Sequence, residues 1–455
     1  MIDNNNRNFS LSEITKNSKN SQLQIQNKTN NFVNKLINEI ANTILDKKMN
    51  EYLSSSAVNE TGFGNVADKI NKNYNKINNL ILDLKKVNLL KPELVKKEKI
   101  YKIFKPIGII CGVTPSTNPI ATTVNYILNS IKARNSIIIC PNPRTYETVN
   151  KLINIIKNIL KEKKISSHLV QIAPKDILRD DSIIELFNLC DKNIVTGNET
   201  MISRVKKSIK PFLVFGKGNV PVVIDETADF KQASKYIVAS KSFDNSTSCS
   251  ADSVLIVREK IYKSFLKFLK KEKVYILDKN EKNKLDQIYF YKGNVNPRII
   301  AKNANIILKK LDIKLDSDDK YKIIGYEIDS FEKSHFIFNE KLLPIVGIIS
   351  SKNLDNSIEI AQKILEINGK GHSAGIYSNK KSNIMKFSIN MPVSRIIVNQ
   401  PHSLSAGGSK NNFLKSTLSL GCGAWGGNLS NENLNINDFC NLSKVVYNKK
   451  HNINE

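Results

Sequence analysis

From about residue 103 onward the chain alternates short, continuously apolar runs with amphipathic stretches of ten residues or more, and few folds accept that pattern. The runs PIGIICGV, SIIIC, LVQIA, NIVTG, PFLVF and VPVVID are too short to be helices of ordinary length. Between them, IATTVNYILNSIKAR and TVNKLINIIKNIL carry their apolar residues at helical spacing. Short buried strands separated by helices describe a doubly wound parallel sheet, buried on both faces. Such a sheet takes ligands beyond the carboxyl ends of its strands, so TPSTNP, PNPR, TGNET and FGKGN are expected along one edge. A second α/β region follows from about 240 to 430, with SVLIV, LLPIVGII, SAGIYS and SRIIVNQ as its strands. The glycine-dense segment AGGSKNNFLKSTLSLGCGAWGGN reads as a loop system.

Upstream the signals differ. Residues 1 to about 28 are polar and Asn-rich and are expected to form a loose leader. Phe32, Val33, Leu36, Ile37, Ile40, Ile44 and Leu45 then recur at helical spacing, as do Tyr74, Ile77, Ile81 and Leu84, so the first hundred residues are expected to be mostly helical. The start, MIDNNNRNFSLSEITKNSKN, has no apolar core of a signal peptide, and no run reaches the roughly 18 apolar residues of a membrane span. The cytoplasm is the expected compartment, with no membrane partner. The six cysteines, at 111, 140, 190, 249, 422 and 440, form no C-x-x-C pair, so neither a disulfide framework nor a metal site is expected. The formal charge of +27 would attract a polyanion, yet the basic residues are dispersed among Asn and Ile, as in KINKNYNKINNLILDLKK. That dispersion reads as compositional drift rather than a nucleic-acid surface. A non-catalytic basic binding protein is the rival from another functional class, and salt-sensitive DNA retention without turnover would favour it.

The chemistry concentrates in SFDNSTSCSADSVLIV, where Cys249 ends a loop directly before an apolar strand. This motif, with PIGIICGVTPSTNPIATT, KARNSIIICPNPR, GKGNVPVVIDETADF, EKLLPIVG, GKGHSAGI, RIIVNQP and SLGCGAWGGN in that order, resembles the coenzyme A-acylating branch of the aldehyde dehydrogenase superfamily over residues 100–445. The resemblance implies an aldehyde dehydrogenase-like α/β fold: two doubly wound domains behind an N-terminal helical region. The expected boundaries are 1–99 for the leader and helices, 100–240 for the dinucleotide domain, 241–430 for the thiol domain, and 431–455 for a C-terminal arm returning to the cofactor domain or a subunit interface.

The same resemblance makes Cys249 the nucleophile: a thiolate adds to an aldehyde carbon and ends, after hydride loss, as a thioester. Asn118 is implied as an oxyanion donor beside the Cys249 backbone N–H, although Asn before Pro119 is also a common turn residue. The other cysteines read as small buried hydrophobes, with Cys422 in a structural or acyl-pocket position.

No G-x-G-x-x-G is present; relatives surround NAD or NADP with loops after several strands. By resemblance Thr114, Pro115, Ser116, Thr117, Asn118 and Pro119 line the nicotinamide side, Pro141 and Arg144 lie by the adenosine ribose, and Gly197 opens the turn by the pyrophosphate. Gly216 and Gly218 come next to the nicotinamide, Glu340 holds a ribose hydroxyl, and Leu420 completes the cofactor set. Two departures stand out: Glu199 in TGNET, unfavourable near phosphate unless turned to solvent, and Lys217 in FGKGN.

Hydrolytic relatives carry a general-base glutamate where this chain has FGKGNVP, which holds no carboxylate. Water has a pKa of about 15.7 and needs that base, whereas a coenzyme A thiol near about 8.5 is already partly ionised. Coenzyme A is thus the expected acyl acceptor, with His372 as a polar helper or a structural turn residue. Arg395, His402, Ser405 and Lys410 would suit an anionic aldehyde; sulfoacetaldehyde is the first expectation, with succinate semialdehyde or acetaldehyde as alternatives. A homodimer or homotetramer is expected because relatives exchange arms between subunits.

Overall fold

The computed structural model describes residues 10–95, 100–291, 294–316, 320–333 and 335–448; the first nine residues of the expected leader and the last seven of the expected arm lie outside them. The chain forms two compact units: Met1–Leu53, Asn73–Leu213 and Leu434–Glu455 make the first, and Ser54–Lys72 with Val214–Asn433 make the second.

In the first unit a five-stranded sheet runs in the order Val170–Ile172, Ser136–Pro141, Ile109–Thr114, Lys192–Thr196, Phe212–Phe215. Its central pairs are parallel, and Ile109–Thr114 and Ser136–Pro141 are buried throughout. Helices Pro119–Lys132 and Tyr146–Glu162 make the crossovers that parallel pairing demands. Proline at the first turn of Pro119–Lys132 suits a helix start, because its missing N–H would have no partner there. A separate three-stranded antiparallel sheet places Ile100–Pro106 between Glu93–Val95 and Cys440–Val446.

The expected loose leader is corrected in part: Leu11–Gln26 is a helix capped by the Ser10 side chain. Four of the six residues on its buried face are polar, which hid it from an apolar-periodicity reading. Ser18, Ser21 and Gln22 are buried but bonded: Gln171 donates to Ser18 Oγ at 2.6 Å, Ser21 to Ser166 at 2.7 Å, and Gln22 to the Arg134 carbonyl at 3.2 Å. Such groups tolerate burial because each keeps its partner. Of the helical positions read downstream, Val33, Leu36, Ile37, Ile40, Ile44, Ile77, Ile81 and Leu84 are buried, while Tyr74 is exposed.

The second unit holds a seven-stranded sheet, parallel at every pair, in the order Val274–Ile276, Ile323–Ile328, Ile345–Ser351, Asp252–Arg258, Val220–Ile224, Ala374–Tyr377, Ile396–Val398. VPVVID is therefore a strand of this sheet, and the middle segment of the first unit ends at 213 rather than near 240. Composition marks such a run as buried strand without saying which sheet receives it. Beneath one face, Phe336 stacks on Tyr289 at 3.8 Å between centroids, and Phe338 is fully buried. This aromatic core anchors the turn that leads to Glu340.

Candidate active site

Sheet order assembles the site in the second unit. Strands Ile345–Ser351, Asp252–Arg258, Val220–Ile224, Ala374–Tyr377 and Ile396–Val398 are successive neighbours. Glu340, Cys249, Gly218, His372 and Arg395 each lie within five residues of the amino end of one of them. Residues remote in sequence thus converge along one strand-end row. His372 Nε2 lies 3.3 Å from Cys249 Sγ, and the Gly218 N–H donates to Glu340 Oε1 at 3.1 Å.

The electrostatics keep this pair neutral. Burial pushes the Cys249 thiol up to about 12, helped by nearby Glu340 and Cys422 and opposed by Arg395. Burial, then Arg395 and His402, hold His372 well below the ordinary imidazole range. A neutral imidazole beside a protonated thiol can accept its proton, provided Nδ1 carries the ring hydrogen. The network accommodates that tautomer: His372 Nδ1 lies 2.8 Å from Ser373 Oγ, and Ser373 Oγ lies 2.9 Å from Nε2 of His402. His402 is itself driven down to about 3 by burial and Arg395, so it can accept from the serine hydroxyl. Ser373 was present in GKGHSAGI, but a serine after a histidine gives no signal of what it bridges.

Arg395 is not placed as an anion receptor. Its Nη1 donates to the His372 carbonyl at 2.8 Å, and its Nη2 to the carbonyls of Gly421 at 2.7 Å and Asn431 at 2.8 Å. The expected anionic pocket is dispersed accordingly: His402 and Ser405 are buried, the Ser405 carbonyl accepts from Asn412, and Lys410 is exposed. Arg395 instead ties the strand entrance at His372 to the glycine-rich loop that carries Cys422. Leu420, expected in the cofactor set, packs with Ile397 and Ala406 and pairs with Asn433.

Glu340 is raised to about 7 by burial, against the pull of the Gly218 N–H and of Lys217, Lys241 and Lys341. Lys341 is buried, donating to Ser253 Oγ at 2.7 Å and the Ile337 carbonyl at 2.6 Å. Lys217 is exposed. At Gly218 a Cβ would overlap the carbonyl oxygen of Cys249 and approach His372 Cε1 to 3.1 Å. Gly218→Ala is therefore expected to move the Cys249 backbone and lower kcat/KM by about 10²-fold, the scale of an ångström's misplacement. Wild-type rates from this variant would refute that close packing.

The loop entering Cys249 is strained: Asp244, Asn245 and Ser246 have φ of 50°, 51° and 64°. A non-glycine residue in this region costs about 1–2 kcal/mol, somewhat less for Asp and Asn, and normally occurs singly.

In the first unit, strand order reverses at Ile109–Thr114, the place where an open parallel sheet leaves a crevice between neighbouring loops. Thr114, Pro115, Ser116, Thr117, Asn118 and Pro119 form one of these loops and Thr196 to Asn198 the other, with Tyr126 Oη 2.6 Å from Thr196 Oγ1. Asn118 occupies the N-cap of the next helix without capping it, its amide donating to Thr117 Oγ1 at 3.3 Å. Pro141 ends the neighbouring strand, and Arg144 lies exposed on the following turn. Gly197 precedes helix Glu199–Lys206, and Glu199 is exposed to solvent, which answers the objection to a carboxylate here. Strand order here, with a helix starting at Glu199, gives these loops the topology at which a parallel sheet takes a nucleotide phosphate. Gly216, in the second unit, follows strand Phe212–Phe215 directly. All six cysteines are free, and among the described residues no helix is long and apolar enough to cross a membrane.

The aldehyde dehydrogenase family profile matches residues 18–287. An acylating sulfoacetaldehyde dehydrogenase of Bilophila wadsworthia is 32% identical over 403 residues, covering 86% of this chain and 85% of the relative. The acetylating succinate-semialdehyde dehydrogenase of Clostridium kluyveri is 29% identical over 442 residues, 96% of each. The crystal structure of an acetylating aldehyde dehydrogenase from Geobacillus thermoglucosidasius superposes with a TM-score of 0.90 at 29% identity, over 98% of both chains. The chain belongs to the aldehyde dehydrogenase family. Within it, the chain stands among the acylating oxidoreductases.

Proposed function

We propose that this chain converts a small aldehyde, NAD(P)+ and coenzyme A into acyl-coenzyme A and NAD(P)H, with Cys249 holding the acyl group as a thioester. The observation that carries the reading is the 3.3 Å approach of a neutral imidazole, His372, to the Cys249 thiol. His372 Nε2 takes the thiol proton as sulfur attacks the aldehyde carbon, and the Cys249 backbone N–H is assigned as a donor to the oxyanion that forms. When bound, NAD(P)+ supplies the hydride acceptor. Within the first unit, Thr114–Pro119 and Gly197 are the residues assigned to hold it. Coenzyme A then attacks the thioester and releases Cys249. The carboxylate that hydrolytic relatives aim at water is missing: FGKGN has none, and the space a side chain at Gly218 would need is filled by the Cys249 carbonyl.

Sulfoacetaldehyde is the proposed aldehyde, supported by the 32% identity to the Bilophila wadsworthia enzyme. The reductive direction tests it, by following NADH and NADPH consumption with acetyl-, succinyl- and sulfoacetyl-coenzyme A. The fastest rate is expected with sulfoacetyl-coenzyme A. Succinyl- or acetyl-coenzyme A in first place overturns the substrate, and no turnover with any of them, joined to salt-sensitive DNA retention, overturns the enzyme.

A further inference from the structure

The strained loop before Cys249 is held from outside by the segment Ser54–Lys72, which lies in the second unit although the residues on either side of it belong to the first. The Asp244 carboxylate is fully buried and gathers four donors. Lys69 Nζ reaches it at 3.0 Å, Lys72 Nζ at 2.5 Å, Thr247 Oγ1 at 2.7 Å and the Asn65 N–H at 3.0 Å. Both ammonium groups are nearly buried, with side chains 4% and 5% exposed. In return the Asp244 N–H donates to Asp68 Oδ2 at 2.7 Å, and Asn245 Nδ2 donates to the Ala301 carbonyl at 3.0 Å. Gly64 leaves room for the carboxylate, which a Cβ at that position would overlap.

Ordinary packing does not call for this arrangement. Two buried cations on one buried carboxylate contribute little net stability compared with apolar side chains of the same shape. Three consecutive left-handed residues persist only when their surroundings over-determine them, and here most of the determinants arrive through the Asp244 side chain. Thr247, bonded both to that carboxylate and to Lys72 at 3.3 Å, is two residues from Cys249.

We propose that Asp244, clamped by Lys69 and Lys72, is a positioning residue that aims the Cys249 thiol and backbone N–H at the aldehyde carbon. The inference rests on Cys249 being the nucleophile. It makes the Ser54–Lys72 helical segment a working part of the catalytic loop rather than a spacer.

The decisive variant removes the charges together: Lys69→Met, Lys72→Met, Asp244→Leu. No buried charge is then left unpaired and the strut is gone, although the Asn65 N–H and the Thr247 hydroxyl lose an acceptor. Aldehyde-dependent NAD(P)H formation is expected to fall in kcat by about 10²-fold with aldehyde KM unchanged. Wild-type kcat in the folded variant, with thermal stability lowered or not, would leave the clamp no positioning role and overturn the proposal. Should the triple variant not fold, Thr247→Val decides alone: nearly isosteric, it is expected to lower kcat about tenfold at constant KM, and unchanged kcat overturns the proposal. Failure of the underlying reading would look different, because Cys249→Ala would then retain turnover whatever the clamp variants did.

Discussion

Cys249→Ala is expected to lower acyl-coenzyme A formation by at least about 10³-fold, and Cys249→Ser to fall nearly as far, because no other group in the second-unit row can carry an acyl thioester. The competing thiols are poorly placed. Cys422 is buried at the end of a hydrogen bond to the Leu420 carbonyl and is pushed up to about 11, chiefly by burial. Cys111 and Cys140 contact one another inside the first sheet at 3.5 Å. Cys422→Ala is therefore expected to keep most activity, changing aldehyde selectivity more than rate. Direct alkylation gives a second measurement. A thiol at about 12 is ionised at pH 7 to about one part in 10⁵, so inactivation of the free enzyme by iodoacetamide should accelerate about tenfold per pH unit from 7 to 10 without a plateau. A plateau near pH 8 would mean a thiolate stabilised in the free enzyme rather than a thiol held protonated.

The parallel sheets were legible because strands buried on both faces leave nothing polar to interrupt them. SIIIC and VPVVID could not be much else, and SFDNSTSC, EKLLPIVG and GKGHSAGI, once each was set before a strand, were brought into one row by strand order. What stayed hidden was partnership. The helix Leu11–Gln26 buries serines and a glutamine that look solvent-bound until their acceptors are known. Arg395 reads as a free cation in a chain of letters, yet three backbone carbonyls from two loops surround it. Lys69 and Lys72 sit in a run of Lys and Asn that looks like a wet helical face; only tertiary structure reveals the buried Asp244 between them, some 170 residues away in sequence. Amphipathic spacing fixes that a face is covered and says nothing of what covers it.

His372→Ala is expected to lower both half-reactions by about 10² to 10³-fold at pH 7, the usual worth of a positioned general base. Their pH dependence separates them. Coenzyme A brings a thiol of ordinary acidity, so thioester transfer in the variant should climb with pH and level off above about 8.5, recovering about 30-fold of the loss at most. Acylation of Cys249 should remain far behind over the same range, since its thiol lies at about 12. In the enzyme with His372 intact, the reactive state is neutral imidazole with protonated thiol. Because the imidazole is displaced downward, that state persists as pH falls through 6.5 and is lost only below it. Glu340, near 7, titrates in the same window and would blur the profile, so the measurement belongs in a Glu340→Gln background. There kcat/KM for the aldehyde is expected to stay level from about pH 9 down past 6.5, and an acid limb centred on 6.5 would show a histidine that is neither buried nor neutral as the network requires.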